Sequence, residues 1–187
     1  MRALLSMGVA AALLVAGCAS RVAWSSLAEP SSGHAAEQLA RARAAKDALA
    51  KALMAELSKE LTERGAASAI EVCATRAPQI ASEVGREHGV RIGRTSWKLR
   101  NASNRAPSWA EAAVAERASA ARYFASDSGE LGVLLPIAMQ SACLGCHGAP
   151  AALGDGVADA LALRYPDDRA TGFALGEVRG WFWIEVP

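Results

Sequence analysis

The residues with the clearest chemical signature are two cysteines and a histidine within five consecutive positions. Cys143-Leu144-Gly145-Cys146-His147 is the Cys-x-x-Cys-His pattern that attaches c-type haem. Two thiols three positions apart can each add to one haem vinyl group, and the adjacent imidazole then reaches the iron as its proximal ligand. We therefore predict one covalently attached haem c, with Cys143 and Cys146 as the attachment residues and His147 as an iron ligand.

Two other uses of this pattern have less support. A redox dithiol of the thioredoxin kind normally follows a strand and opens a helix, whereas Gly148-Ala149-Pro150 ends any helix at once. A zinc site needs a fourth ligand and usually a second paired cluster, which the spacing of His34 and His88 does not supply. Haem attachment is therefore the preferred interpretation.

The N-terminus predicts export and a lipid anchor. Residues 1–17 have a basic start, a hydrophobic middle too short to span a bilayer, and small residues before Cys18. This signal peptide resembles the lipobox of bacterial lipoproteins, so Cys18 is the expected lipidated residue; a plain signal peptide with an incidental cysteine is the alternative. Ala19 is not the acidic residue expected for inner-membrane retention, so we expect a periplasm-facing, outer-membrane lipoprotein. Residues 18–33 are interpreted as a lipidated tether.

Cys73 is the remaining thiol, and it has no intramolecular partner once the other three cysteines are assigned. It belongs to a set at three- and four-residue steps that shares one helix face, broken or kinked at Pro78: Ile70, Cys73, Ala77, Ile80 and Val84. Cys73 therefore points inward, either as a small buried hydrophobe or as the distal iron ligand.

Other occupants of the distal iron position stay open on this reasoning. His88, Met54 and Met139 are the alternative ligands, and an iron with no distal protein ligand is a further alternative. His34 lies at the start of the first helix, too far along it to be preferred.

A run of basic residues could hold the two haem propionates. Between residues 86 and 105 one acidic residue, Glu87, faces six basic ones: Arg86, Arg91, Arg94, Lys98, Arg100 and Arg105. Arginine donates paired hydrogen bonds to a carboxylate. We expect Arg94, Lys98 and Arg100 to bind the propionates, with a solvated basic face as the alternative.

The elements that must position these residues are helical in the first half of the chain. Residues 34–64 lack Pro and Gly and repeat leucine on one face, at Leu49, Leu53, Leu57 and Leu61, which predicts one long amphipathic helix ended by Gly65. Two further helices are expected over about 66–77 and 78–87.

The second half predicts a sheet. Alternating apolar and polar residues over 90–95 indicate a strand, and a capping box at Ser108 begins a helix to about Ala118. The remaining predicted elements are a hairpin over 121–126 and 131–138, a short helix over 155–164 and a closing strand over 181–186. The fold class is α+β, with residues 34–187 as one domain.

Composition excludes several classes of protein. Of 187 residues, 52% are hydrophobic, which is too many for a disordered chain. Twenty basic and nineteen acidic side chains give a net charge of +1, so no overall field favours nucleic acid. We expect no nucleic-acid partner.

Several stretches together resemble a family of haem-binding domains of unknown function. They occur as small exported bacterial proteins and as sensor portions of histidine kinases and chemoreceptors. The matching stretches are Ala69 to Cys73 with Ala77-Pro78, Arg94-Thr95-Ser96 with Lys98 and Arg100-Asn101, Cys143 to Gly148, and Arg164 to Gly172 with Arg179-Gly180. Ala102 and Pro107 depart from the pattern.

The resemblance covers about residues 60–187. It implies a PAS-like fold with long N-terminal helices on an antiparallel sheet. It also implies haem ligation by Cys143, Cys146 and His147, and strengthens the assignment of Cys73 as the distal ligand.

These residues together predict a lipid-anchored periplasmic mono-haem c protein. A thiolate ligand favours ferric iron, so we expect one-electron transfer at low potential, with an unknown redox protein as partner. The alternative is a haem-based redox or gas sensor that signals through a separate protein. An enzyme is not expected, because no distal acid or base stands at a recognisable spacing.

Overall fold

The computed structural model describes residues 22–187. The predicted signal peptide and Cys18 lie outside the described residues. Within the segment interpreted as a tether, Trp24–Leu27 forms a short strand, β1, that pairs antiparallel with residues 123–126. Residues 24–27 of the predicted tether therefore belong to the sheet, and the Trp24 ring packs at a tilt against Trp109, with 5.5 Å between ring centroids. Sequence reasoning missed β1 because its pairing partner lies a hundred residues away.

The first large element is α1, Gly33–His88, which Gly65 divides into two arms. Gly65 has φ 82° and ψ 178°, a conformation open to glycine alone. The arms, 33–64 and 66–88, run back along each other, since Arg76 lies 3.8 Å from Glu56 and side chains of both arms line one small cavity. The predicted helix end at Gly65 is confirmed.

The break predicted at Pro78 is wrong, because the second arm runs through this residue without interruption. Proline removes one backbone donor from a helix, and the cost is smallest where the freed carbonyl can meet solvent. Pro78 is exposed, on the side away from the core. The second arm ends at Gly89, whose φ of 62° closes it.

Five antiparallel strands form one sheet in the order β1-β3-β4-β5-β2. The strands after β1 are β2 Arg91–Thr95, β3 Arg122–Ser126, β4 Leu131–Ala138 and β5 Val178–Val186. The predicted strand over 90–95, the hairpin and the closing strand are confirmed, although β5 begins three residues earlier than expected. In the register of β2 and β5, Arg94 stands opposite Phe182.

The two arms of α1 cover one face of this sheet, and the main core lies between them. Its most buried side chains include Leu49, Val133, Ile184 and Val186. The opposite face is covered by a 3-10 turn, Ser108–Ala110, and by α2, Glu111–Ala115, around buried Trp109 and Trp181. The predicted α+β fold, long N-terminal helices packed on an antiparallel sheet, is confirmed.

Short elements follow the sheet between β4 and β5. A 3-10 turn, Ser141–Cys143, leads into α3, Leu144–His147; a second 3-10 turn, Pro150–Ala152, precedes α4, Val157–Arg164. The last of these confirms the helix expected over 155–164. No helix within residues 22–187 is long and apolar enough to cross a membrane.

Candidate functional site

The Cys-x-x-Cys-His segment forms a single helical turn. Cys143 precedes α3 and Cys146 lies within it, so the two thiols are three residues apart on one face of the turn. Both are free and half-buried. Gly148 ends the turn, and a Cβ there would lie 2.6 Å from the Leu144 carbonyl oxygen, so the backbone has no space for a side chain. The arrangement presents two thiols and an imidazole from one compact turn.

The orientation of His147 is fixed through its Nδ1 atom. Nδ1 lies 2.7 Å from the backbone oxygen of Ala170, which can only accept a hydrogen bond. Arg179 Nε also lies 3.2 Å from Nδ1, but the contact to Ala170 is the shorter one and a carbonyl oxygen cannot donate. Nδ1 therefore carries the proton, the Arg179 contact is not a hydrogen bond, and Nε2 keeps its lone pair for a metal. Burial lowers the pKa of His147 to about 3, with the neighbouring Arg179 cation acting in the same direction. The imidazole is thus neutral and available as a ligand at neutral pH.

The loop over residues 165–173 holds the turn from outside. The Gly172 N–H donates to the Gly148 oxygen at 2.8 Å, and the Phe173 N–H donates to the His147 oxygen at 3.0 Å. Together with the bond at Ala170, these contacts join loop and turn at three points. The position of His147 is therefore fixed by backbone contacts.

Arg100 links this loop to the turn. Its Nε and Nη2 donate to the two carboxylate oxygens of Asp168, both at 3.2 Å, and Nη2 also donates to the Cys146 oxygen at 2.6 Å. Both side chains are less than a tenth exposed. Arg100 therefore has an internal structural role through Asp168 and Cys146, and its predicted propionate contact stays a prediction.

Cys73 lies on the second arm, on the face turned towards the Cys-x-x-Cys-His segment. One turn earlier on the same face, Ile70 packs in a cluster that includes Cys146 and Tyr165. Burial raises the pKa of the Cys73 thiol, and the Arg94 and Arg100 cations oppose this. The structure thus brings Cys73 and the predicted haem motif together from two elements.

The other distal candidates are placed less favourably. His88 is fifteen residues further along the second arm, about 22 Å at 1.5 Å per residue. Met54 is 46% exposed on the first arm. Met139 is buried against Ala170 and Phe173, on the side of the turn that the loop covers. Of the candidates named from sequence, Cys73 has the surroundings that fit best, since Arg100, Cys146 and Tyr165 lie near it.

Three cations of the site lack a carboxylate partner among the described residues. Arg94 makes no hydrogen bond or ion pair there, and burial lowers its pKa. Lys98 donates from Nζ to the Thr171 oxygen at 3.2 Å. Arg179 lies with Nε 3.2 Å from His147 Nδ1, and burial with the nearby arginines lowers its pKa to about 10.

Sequence reasoning missed Arg179 and Asp168 as site residues. Asp168 and Arg179 are 68 and 79 residues from Arg100 along the chain, and only the folded loop and the start of β5 bring them to the turn. The signal that could have found them was their place in the Arg164 to Gly172 and Arg179-Gly180 stretches.

The donor set fits a haem. Four site cations, Arg94, Lys98, Arg100 and Arg179, face one carboxylate, Asp168, which leaves an excess of three positive charges. Two propionates and a thiolate would supply three negative charges, which balance this excess when the haem is ferrous and reduce it to one when the haem is ferric; cations held away from water need such partners. In the described part of the chain no three His, Cys, Asp or Glu residues form a metal cluster; a haem iron needs at most two protein ligands.

The fold and the site together define the class of protein. The chain belongs to the Tll0287-like family, whose model, described as Tll0287, matches residues 29–187. Among solved structures, the crystal structure of the cyanobacterial heme-protein Tll0287 matches with a TM-score of 0.60 and 24% sequence identity, over 81% of this chain and 95% of that chain. At this identity the likeness establishes the fold. A search of curated proteins found no match.

Proposed function

We propose that the protein is a mono-haem c protein that transfers single electrons at low potential. The observation that carries the proposal is the Cys-x-x-Cys-His turn, with the His147 Nδ1 proton held by Ala170 and Cys73 on the facing helix. The structural relative is a heme-protein, and the family match covers the whole of this site. When bound, the haem supplies an iron that changes between ferric and ferrous states by one electron.

The turn supports covalent attachment. Cys143 and Cys146 are free thiols on one face of a short helix, and each would form one thioether bond. Cys146 is half-buried, and burial raises the pKa of its thiol. The apolar neighbours Ile70 and Leu153 line its side of the turn and would exclude water from the attached group.

Two residues supply the axial ligands of the proposal. His147 presents the Nε2 lone pair because its other nitrogen is bonded to Ala170. Burial raises the pKa of the Cys73 thiol, and the Arg94 and Arg100 cations oppose this; in the proposal, binding to iron displaces the thiol proton. A thiolate donates charge to iron and lowers the reduction potential relative to a methionine ligand. This ligand pair is the reason for proposing a low-potential centre.

We assign the propionates to Arg94, Lys98 and Arg179. Arg94 is half-buried and makes no hydrogen bond or ion pair among residues 22–187, and burial lowers its pKa, so a carboxylate beside it would offset the cost of holding this charge partly away from water. Lys98 and Arg179 both lie over the Phe173 ring, at 4.9 and 5.2 Å, which directs their charged groups along the same aromatic wall. Arg179, which sequence reasoning missed, thus joins the predicted Arg94 and Lys98 in this proposal.

A sensor function has one observation in its favour. Cys73 is carried by the second arm of α1, which packs on the sheet through Ile80 and Val84. Loss of the proposed bond between the Cys73 sulfur and the iron would therefore act on the α1 hairpin. A change at His147 would instead act on the loop that holds it. A partner protein that contacts the hairpin would receive the signal.

A reductive titration followed by carbon monoxide separates these functions. The visible spectrum of the full chain with attached haem is recorded at each potential, and carbon monoxide is added to the reduced form. Electron transfer predicts a single low-potential step and no change on adding the gas. A rapid change in the Soret band contradicts the carrier function and supports the sensor.

We also propose that Cys18 carries the lipid and holds the domain at the outer membrane, facing the periplasm. Covalent haem attachment occurs outside the bacterial cytoplasm, which is where residues 1–17 would direct the chain. Several acyl chains on one residue anchor a protein far more firmly than one chain. The redox partner is then a protein that reaches this membrane surface.

A further inference from the structure

One backbone oxygen serves both His147 and Arg100. The Ala170 oxygen accepts from His147 Nδ1 at 2.7 Å and from Arg100 Nη2 at 3.3 Å, and the same Nη2 also donates to the Cys146 oxygen at 2.6 Å. A guanidinium on a carbonyl draws electron density from it and weakens the carbonyl as an acceptor for a second donor. Arg100 therefore acts on the bond that sets the donor strength of the imidazole.

The Asp168 carboxylate partly neutralises Arg100 and so determines how strongly this cation acts on the Ala170 oxygen. The carboxylate takes two hydrogen bonds from the guanidinium, and its Oδ1 also accepts from the Ala170 N–H at 2.9 Å. The pair is buried, each side chain less than a tenth exposed, so solvent screens it little. Asp168 thus both neutralises Arg100 and fixes the peptide whose oxygen His147 uses.

We propose that the Arg100–Asp168 pair is a positioning unit that tunes His147 as an iron ligand through the shared Ala170 oxygen. This inference rests on the proposed function, in which His147 binds the iron. Arg100 limits the transfer of negative charge from the carbonyl to the imidazole, and Asp168 restrains Arg100. The two side chains therefore act on the reduction potential with opposite signs.

Two variants of the full chain with attached haem test this. Asp168→Asn keeps the shape and releases the charge of Arg100, so the reduction equilibrium constant should rise about tenfold, about 59 mV for one electron. Arg100→Lys keeps the charge but loses the planar fork that reaches two oxygens at once. The freed Ala170 oxygen then bonds His147 more strongly, and the constant should fall.

The sign of the change in reduction potential in Arg100→Lys distinguishes a positioning role from a simple charge effect. If Arg100 acted only through its charge, the reduction potential of Arg100→Lys would equal that of the unmodified protein. Hydrogen exchange gives a second readout, since loss of the fork should speed exchange of the Gly172 and Phe173 amides. The exposed neighbours provide matched controls, Asp167→Asn and Arg105→Lys, which should change neither quantity.

The outcomes distinguish the two proposals. A coloured protein whose potential is the same in both variants and in both controls overturns the positioning role and leaves the haem function standing. Two shifts of the same sign also overturn it. An unmodified chain without covalent haem overturns both proposals together.

Discussion

Cys73 and His147 differ in how firmly the chain holds them. His147 is tied to the loop by its own side chain and by the backbone oxygens of the same turn, through Ala170, Gly172 and Phe173. Cys73 is held only by its place on a helix. Of the two proposed ligands, Cys73 is therefore the one whose removal should change the iron environment with least damage to the fold.

Replacement of Cys73 by alanine should shift the Soret band and raise the midpoint potential, because a charge-donating thiolate is lost. Haem should stay attached, since Cys143 and Cys146 are untouched. Visible spectroscopy with a redox titration measures both. Thr75→Ala on the exposed side of the same arm is the control, and spectra identical to those of the unmodified protein in both variants would exclude the thiolate ligand.

The lowered pKa of His147 predicts that the stability of the haem-free chain depends on pH. Burial lowers its pKa in the folded state from 6.5 to about 3. Between these values the unfolded chain binds a proton that the folded chain does not, so stability falls as the pH falls. At about 1.4 kcal/mol per pKa unit, the loss reaches at most about 5 kcal/mol by pH 3.

Urea unfolding midpoints between pH 7 and pH 4 measure this effect. In His147→Asn the acid-dependent loss should become smaller. The exposed His34 provides the control, because His34→Asn should keep the full pH dependence. An unchanged slope in His147→Asn would show that another group causes the acid sensitivity.

At the scale of elements, the α1 hairpin depends on one residue. Gly65 adopts φ 82° and ψ 178°, where any side chain is strained. Gly65→Ala should lower the free energy of unfolding by about 1–3 kcal/mol. Thermal or chemical denaturation of the haem-containing protein checks this, with Glu63→Ala on the neighbouring exposed turn as the control. Equal stability of the two variants would mean that the turn relaxes elsewhere.

The helices and strands were mostly predictable because their patterns are local. The leucine repeat, the alternation over 90–95 and the hairpin residues each report on their own neighbourhood. Pro78 and β1 were not predictable for the opposite reason. Whether Pro78 breaks a helix depends on which side meets solvent, and β1 exists only because β3 and the Trp109 ring lie beside it.

The candidate site divides in the same way. Cys143, Cys146 and His147 are contiguous, so their chemistry is readable from the sequence. Arg100 shows what the sequence cannot reveal. Its residue type and its basic neighbours predicted a propionate contact and gave no sign of a second partner. Only the fold shows that Asp168, 68 residues later, accepts two of its hydrogen bonds. Contacts across such distances leave no periodic signal.

At the scale of the whole molecule, the N-terminus decides where the domain works. Cys18→Ser should move the protein from the membrane fraction to the soluble periplasmic fraction, because the acyl acceptor is lost. Detergent phase partitioning and cell fractionation measure this, with Ser20→Ala as the control. An unmodified chain that is soluble after export would contradict the lipid anchor and leave the haem site unaffected.

Everything proposed for the site depends on covalent haem, and one measurement tests it most directly. The exported chain is produced in a host with haem-ligation machinery, denatured and extracted with acidic organic solvent. Its mass is then measured by mass spectrometry. We predict a coloured chain that keeps the added mass of one haem, and a Cys146→Ser variant from which the solvent extracts haem more readily. A colourless chain with the mass of the polypeptide alone would contradict it.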